Sequence, residues 1–583
     1  MSSIKTACPL DCYDACEIVF TEDKITAKKE GHTQGFLCPH MNHFLEQNFI
    51  QKARYKGKEI ELDEALTVLK KMLEESMPSR VLHYRGSGNF SLMQEVMDHF
   101  FASYGATLTN GSLCDGAGEA GILEGRGSNK NMSLSEIEKA DVVVVWGRDP
   151  HTTSSHLLPM LESKKVIVID PRVTPLAKKS DLHIQLKPRG DYVLAMLLSR
   201  FLVINEQFDV EYLEEFASEY EEFYELTQTI RIKASLEDID VSLGEIGKFL
   251  ELVEGKKVAF VVGVGVQKYA DGAEIMRAID AVALFLSLFG KEGSGVAYLG
   301  NSKEGIESPF YTDAKRVSKV DTLFSSYDTV FIQSANPLSQ MPNTQRVERS
   351  MQKVKNLIYF GLYENETSEM ADLVIPAKHF LAKDDIRVSY SHNAMIEMKQ
   401  ALELDYGISE YQLSRYLCES FDIDLQTQEA YIEHFKSFAK PLDDGSLEVK
   451  GREKTPYKDG FDTDDGEFCF LDEYENDFDM SNDFFLITPK SKKSLNSQFK
   501  REDEVYLHPS LGFEDSERLV ISSLSGECEL RVKNDESLRE DCVMIYSGTK
   551  GVNNLTSSKH SYEGKSAIYQ ENKVKIKKKG NDE

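Results

Sequence analysis

The sequence predicts an α/β multidomain protein: a small N-terminal cysteine-bearing unit, doubly wound parallel α/β domains, and a C-terminal β-barrel domain. Three observations carry that prediction. Four of nine cysteines (Cys8, Cys12, Cys16 and Cys38) crowd the first forty residues. From about residue 60, short Val- and Ile-rich runs ending in glycine or polar turns alternate with helix-period segments. Beyond residue 481 the pattern changes to short alternating strands. The expected boundaries are 1–55 for the first unit, 56–437 for an α/β core of two interleaved subdomains (one about 140–330), 438–480 for an acidic, glycine-bearing connection, and 481–583 for the barrel.

The elements follow in order. EIVFTEDKITAKKEGHTQGF (17–36) reads as two short strands around a turn, and 61–77 as an amphipathic helix. RVLHYRGSGN (80–89) is a strand running into a glycine turn, followed by a second helix. ADVVVVWGRDP (140–150), KKVIVIDPR (164–172) and DLHIQLKPRGDYVLAMLLSRFLV (181–203) continue the alternation. The stretches beginning at 256, 328 and 356 repeat strand and turn. In open parallel sheets, ligands sit beyond the carboxyl ends of the strands, and such turns offer N–H groups to phosphates. So many of them suit a large phosphorylated ligand, or more than one.

With 583 residues, 41% hydrophobic and 28% charged, the chain has an ordinary globular composition. A net charge of −29 disfavours nucleic acid and anionic membranes as partners. The basic tail KVKIKKKG (573–580) is too short to reverse this. No apolar run reaches the ~18 residues of a membrane helix, so no direct membrane span is expected. The N-terminus lacks the features of a secretion signal, which makes a cytoplasmic location the expectation. The cysteines are too few for a disulfide scaffold.

CPLDCYDAC gives C-x3-C-x3-C, and Cys38 follows in GFLC. A grouping of three plus one suits a [4Fe-4S] cubane better than the paired ligands of structural zinc. Zinc and free buried cysteines remain the competing readings.

NGSLCDGAGEAGI (110–122) contains G-x-G-x-x-G at Gly116, Gly118 and Gly121, with Asp141 further on. A dinucleotide fingerprint requires a strand directly before it and an acid closing the second strand. Residues 110–115 read as a loop, and Asp141 begins a strand, so that reading fails. A packed glycine turn is the plain alternative. The preferred reading makes Cys114 a thiolate on a tight loop before a helix, presented to a metal.

Taken in order, CPLDC, GFLC, GSLCDGAGEAG, WGRDP, IDPR, ANP, ETSEMADLVIPA, LITP, LNSQF and GVNNLT resemble the molybdopterin oxidoreductase family, the bis-molybdopterin guanine dinucleotide (bis-MGD) enzymes, over residues from about Cys8 to Lys575. The resemblance implies an iron-sulfur domain, α/β domains around a bis-MGD cofactor with molybdenum or tungsten, and the barrel over the pterins. It assigns Cys8, Cys12, Cys16 and Cys38 to the [4Fe-4S] cluster and Cys114 to the molybdenum or tungsten. Gly116, Gly118 and Ala120 would admit the cofactor closely. Trp146, Gly147, Asp149, Asp170, Arg172 and Asp191 would hold one nucleotide tail. Gly263, Gly265, Gln267 and Asn336 would lie near the other. Thr488, Asn496, Ser497, His508, Asn553 and Asn554 would close over the pterins. Asp149 and Asp170 have the simpler alternative of capping helices.

The resemblance implies two-electron redox or oxygen-atom transfer on a small-molecule substrate, with electrons relayed through the cluster to a partner subunit, iron-sulfur or similar. A non-redox hydratase and a non-catalytic electron-transfer subunit are the rival readings on the same fold. The chain departs from the family at His40, where many members carry a bridging lysine, and at Asp115, where formate-handling members carry histidine. Asp115 and Glu119 are candidates for the surroundings of the metal, and Tyr84 and Arg126 for the substrate pocket.

Overall fold

The computed structural model describes residues 3–579 except 218, 311–312, 444, 475–480 and 482. The end of the 438–480 segment, and Gly580 with the last three residues of the expected barrel domain, therefore lie outside the described residues.

Two largely parallel sheets form the centre. One has five strands, ordered Leu182–Ile184, Lys165–Ile169, Val142–Trp146, Val258–Val262 and Gly295–Ala297, all parallel. Chain order reverses between Val142–Trp146 and Val258–Val262, the switch point of a doubly wound sheet. Every residue of both strands is buried, as expected of β-branched runs covered by helices on both faces. The helices Asp191–Ile204 and Gly272–Phe285 provide cover on one side.

The other sheet has eight strands. Arg316–Ser318, Thr107–Asn110, Val81–Arg85, Thr329–Gln333, Asn356–Gly361 and Leu373–Pro376 run parallel, and Ala53–Tyr55 and Lys58–Ile60 add an antiparallel edge. Its switch point lies between Val81–Arg85 and Thr329–Gln333. The strand Thr107–Asn110 was missed from sequence because its short TLTN run carries little apolar signal.

Ile4–Ala7, Glu17–Thr21 and Lys24–Ala27 make a three-stranded antiparallel sheet, with Cys8, Cys12 and Cys16 in the loop between its first two strands. Six strands at the C-terminus close into a barrel. Residues 438–480, read as a connection, carry two strands, Ala439–Pro441 and Leu447–Val449, in a four-stranded sheet with Asp385–Val388 and Ala394–Met398. Beyond them Tyr457, Phe461, Phe468 and Phe470 are buried against the helices of the five-stranded sheet. Aromatics spaced among the acids do this packing.

Arg126, a pocket candidate by sequence, is instead part of this core. Its Nε donates to Asp280 Oδ2 at 2.7 Å and its Nη2 pairs with the other carboxylate oxygen. The guanidinium lies 4.8 Å from the Phe289 ring centre, and both charged side chains are buried. A carboxylate stripped of its partner in such a place is strongly unfavourable. Arg126→Met should therefore lower the thermal unfolding midpoint, with a loss of about 3–5 kcal/mol. The double variant Arg126→Met/Asp280→Leu should recover most of that loss; calorimetry on the three proteins checks both outcomes.

Candidate active site

The carboxyl edges of both parallel sheets open into one cavity of about 680 Å³, within the usual range of ligand sites. Gly147 to Asp149 and Gly263 to Gly265 enter from the five-stranded switch point. Arg85 to Gly88 enter from the eight-stranded one. Residues 487–491, 547–548 and 552–553 of the barrel form the third wall.

Cys114 is half-buried in the cavity lining, four residues past the strand Thr107–Asn110 of the eight-stranded sheet and two before the helix Gly116–Arg126. The Ser112 hydroxyl accepts from the backbone N–H of Cys114 at 2.9 Å and of Asp115 at 3.4 Å, which fixes the turn. From the other sheet, the buried Gln267 amide donates to the Cys114 carbonyl at 2.6 Å and accepts from Gly118 N–H at 2.9 Å.

The glycines of this motif serve a different purpose from the one expected. A Cβ at Gly116 would lie 2.5 Å from the Gly564 carbonyl oxygen, at Gly118 2.6 Å from the Tyr298 hydroxyl, and at Gly121 2.2 Å from the Ala273 carbonyl oxygen. At these three positions a neighbouring protein atom stands where a Cβ would have to go.

Of the twenty-one residues read as metal ligands, nucleotide-tail residues or pterin contacts, fifteen line the cavity. They are Cys114 and the four N-terminal cysteines; Gly147, Asp149, Asp170, Arg172 and Asp191; Gly263 and Gly265; and Thr488, Asn496 and Asn553. Six do not line it. Trp146 is buried behind it, its indole N–H donating to Asp191 Oδ1 at 2.7 Å. Gln267 acts through the Cys114 loop. Asn336 is bonded to Glu366 and Thr367, and Asn554 donates to the Glu527 carbonyl. His508 contacts Ser510 on the barrel, and Ser497 lies in the turn between Ser494–Leu495 and Gln498–Phe499.

The Asp149 carboxylate caps residues 150–153, accepting from His151 N–H and the Thr152 hydroxyl. Arg172 stands 3.9 Å from Asp149 and 3.8 Å from Asp170. Burial raises Asp170 above the ordinary carboxylate range against the pull of Arg172. Burial pushes Asp191 up to about 7 in spite of its Trp146 hydrogen bond.

The four N-terminal cysteines share one wall. Cys8 N–H donates to the Cys16 carbonyl at 2.9 Å, closing their loop. Burial pushes the Cys8 thiol up to about 12 and raises those of Cys12, Cys16 and Cys38, the nearby sulfurs adding to the effect in Cys8, Cys12 and Cys16. Such thiols stay protonated until a metal displaces the proton. Among the described residues no group of three or more His, Cys, Asp or Glu side chains is placed to hold a single metal ion.

The cavity wall also holds buried polar atoms without a partner among the described residues: His40 Nε2, Arg148 Nη1, Gln498 Oε1 and Ser547 Oγ. Orphans of this kind are costly unless a ligand meets them, and they fit a large polar cofactor. Sequence reading missed several cavity groups. Lys490 is held below its ordinary value by burial and donates to Asn496 Oδ1. Lys319 is lowered to about 8 by burial and the Arg85 charge. Lysines in loops carry no periodic signal.

A family model described as molybdopterin oxidoreductase matches residues 54–419, more than half of the chain. The chain belongs to the molybdopterin oxidoreductase family. Membership implies a pterin-bound molybdenum or tungsten. A probable oxidoreductase of Bacillus subtilis strain 168, YyaE, is 27% identical over 438 residues, covering 68% of this chain and 65% of its own. The assimilatory nitrate reductase catalytic subunit of the same organism is 22% identical, covering 64% of this chain and 62% of its own. This chain thus spans a little under two thirds of either relative. The structure of acetylene hydratase from Pelobacter acetylenicus superimposes with a TM-score of 0.79, covering 99% of this chain and 100% of that one at 15% identity; the likeness is one of fold. No helix among the described residues is long and apolar enough to cross a membrane.

The ionised form of Asp191 is the disfavoured one. Its stabilising contribution is complete below the unfolded value of about 3.9 and is lost as pH rises through about 7. In cofactor-free protein, Asp191→Asn keeps an oxygen for Trp146 and should remove that loss. Relative to the parent, the variant should gain stability between pH 4 and 8 by as much as about 4 kcal/mol, read as the difference between two calorimetric midpoint-against-pH curves. Parallel curves would disprove the assignment.

Proposed function

We propose that this chain is a bis-MGD molybdenum or tungsten oxidoreductase that carries out two-electron redox or oxygen-atom transfer on a small substrate. In this reading electrons pass through a [4Fe-4S] cluster to an electron-transfer partner subunit in the cytoplasm. One observation carries the proposal: a cysteine fixed on a tight loop shares a single cavity with four more cysteines, where two nucleotide-type switch points meet.

When bound, the metal and its pterins supply the redox chemistry. The chain's own residues do the rest. Cys114 offers a soft thiolate to the metal, and Gln267 holds its loop. Cys8, Cys12, Cys16 and Cys38 hold the cluster. Asp191 and Asp170 suit the paired N–H donors of guanine, and Arg172 suits a phosphate fork. His40 presents an unpartnered ring nitrogen beside Cys38. The domain limits at 55, 437 and 480 remain our proposed divisions.

Anaerobically purified protein should contain about four irons, with one molybdenum or tungsten and two pterins. Cys114→Ala should abolish dye-linked turnover in a screen of nitrate, sulfur oxyanions, N- and S-oxides, formate and aldehydes, while the cluster's EPR signal persists. Unchanged turnover would remove Cys114 from the metal. Turnover without any electron acceptor would favour hydration, and iron without molybdenum, tungsten or pterin would favour the wiring subunit.

A further inference from the structure

Arg387 lies on the strand Asp385–Val388 and is wholly buried. Its guanidinium donates only to backbone carbonyls. Nε reaches Cys8 at 3.1 Å, Nη2 reaches Leu10 at 3.2 Å and Cys12 at 3.4 Å, and Nη1 bonds Val388. Its carbon lies 5.0 Å from the Phe90 ring centre. Among the described residues no carboxylate forms an ion pair with it. Asp11, the nearest acid in sequence to these carbonyls, is bonded to the Tyr390 hydroxyl at 3.4 Å.

Two of the other three buried guanidiniums face carboxylates: Arg126 faces Asp280, and Arg189 faces Asp271 and Glu571. The third, Arg148, donates to the Ser154 hydroxyl. A buried cation satisfied by carbonyl dipoles alone retains most of its desolvation penalty. The negative groups nearest to it are on the carbonyl-bearing loop: the Asp11 carboxyl and the Cys8 thiol both feel the Arg387 charge. That loop bears three of the four clustered thiols, and the same strand end grips it further: Ser389 Oγ donates to the Tyr13 carbonyl at 3.1 Å, and His392 Nε2 lies 3.0 Å from the Asp14 carbonyl.

We propose that Arg387 is the charge partner of the [4Fe-4S] cluster, holding the Cys8–Cys16 loop and raising the cluster's reduction potential. The inference rests on the cluster reading above. On reduction one electron enters from an external reductant and no bond breaks. The four-thiolate cluster passes from dianion to trianion, and a fixed buried cation favours the more negative form. Arg387 is thus a positioning residue that also sets the cluster's redox equilibrium.

The test is an EPR-monitored titration of the anaerobic full-length protein with dithionite and mediators, with iron and sulfide measured on every sample. Arg387→Gln keeps donors and loses the charge. At fixed potential its ratio of reduced to oxidised cluster should fall about tenfold, a shift of about 59 mV for a one-electron couple. Arg387→Lys keeps the charge and should titrate like the parent. Full iron with an unshifted potential in Arg387→Gln overturns the proposal, as does an Arg387→Lys potential shifted equally far. If Arg387→Gln takes up no iron, Arg387→Lys decides: a loaded cluster at the parent potential sustains the charge role, and loss of iron there too overturns it. Absence of iron and sulfide from the parent would instead refute the cluster reading itself.

Discussion

One side-chain amide joins the two halves of the site. Gln267 leaves the five-stranded sheet and grips, with both ends of its amide, the loop and helix that follow a strand of the eight-stranded sheet. Two parallel sheets can each bring glycine turns to a cavity, but their relative position then depends on whatever crosses between them. A fully buried amide bonded at both ends is a strong constraint, since breaking it leaves two backbone groups unpaired. The position of Cys114 in the cavity is therefore a joint property of both sheets.

The cavity wall follows a second constraint, that of burying charge. The chain keeps Asp170, Asp191 and Lys490 in places where burial disfavours their charged forms, and leaves the His40 ring nitrogen and the Gln498 amide oxygen of the same cavity without a partner among the described residues. Elsewhere the same chain pairs buried charge well, as at Arg126 and Asp280. The difference lies in what each place serves. A core pair is complete within the protein, whereas cavity groups need a partner with its own charges and donors. Preorganised sites commonly trade stability for binding in this manner.

Much of the architecture was legible because period and composition are physical necessities. A fully buried parallel strand must read like VVVVW, and strand-end turns must be small or polar. Cysteine spacing was legible because thiolates seldom crowd without purpose. The rest depended on long-range contacts. Arg387 lies 379 residues from Cys8 and looks like any charge in an edge strand. Phe461 and Phe468 sit among acids, so the segment read as a connection. Asn336 and His508 have the right chemistry, but both are bonded to protein groups away from the cavity lining, which only coordinates reveal.

The G-x-G-x-x-G shows why a motif and its meaning separate. None of Gly116, Gly118 and Gly121 adopts a left-handed conformation; Gly111 and Gly147 do, at φ of 72° and 60°. The three motif glycines are needed because something approaches too closely for a Cβ. In a dinucleotide fold that neighbour is pyrophosphate; here it is the Gly564 carbonyl, a tyrosine hydroxyl and the Ala273 backbone. The motif therefore reports proximity and says nothing about the neighbour's identity. The glycines draw the Cys114 helix tightly against the barrel and the 272–285 helix. The loop before that helix, Gly111 to Asp115 with Cys114 in it, is left lining the cavity.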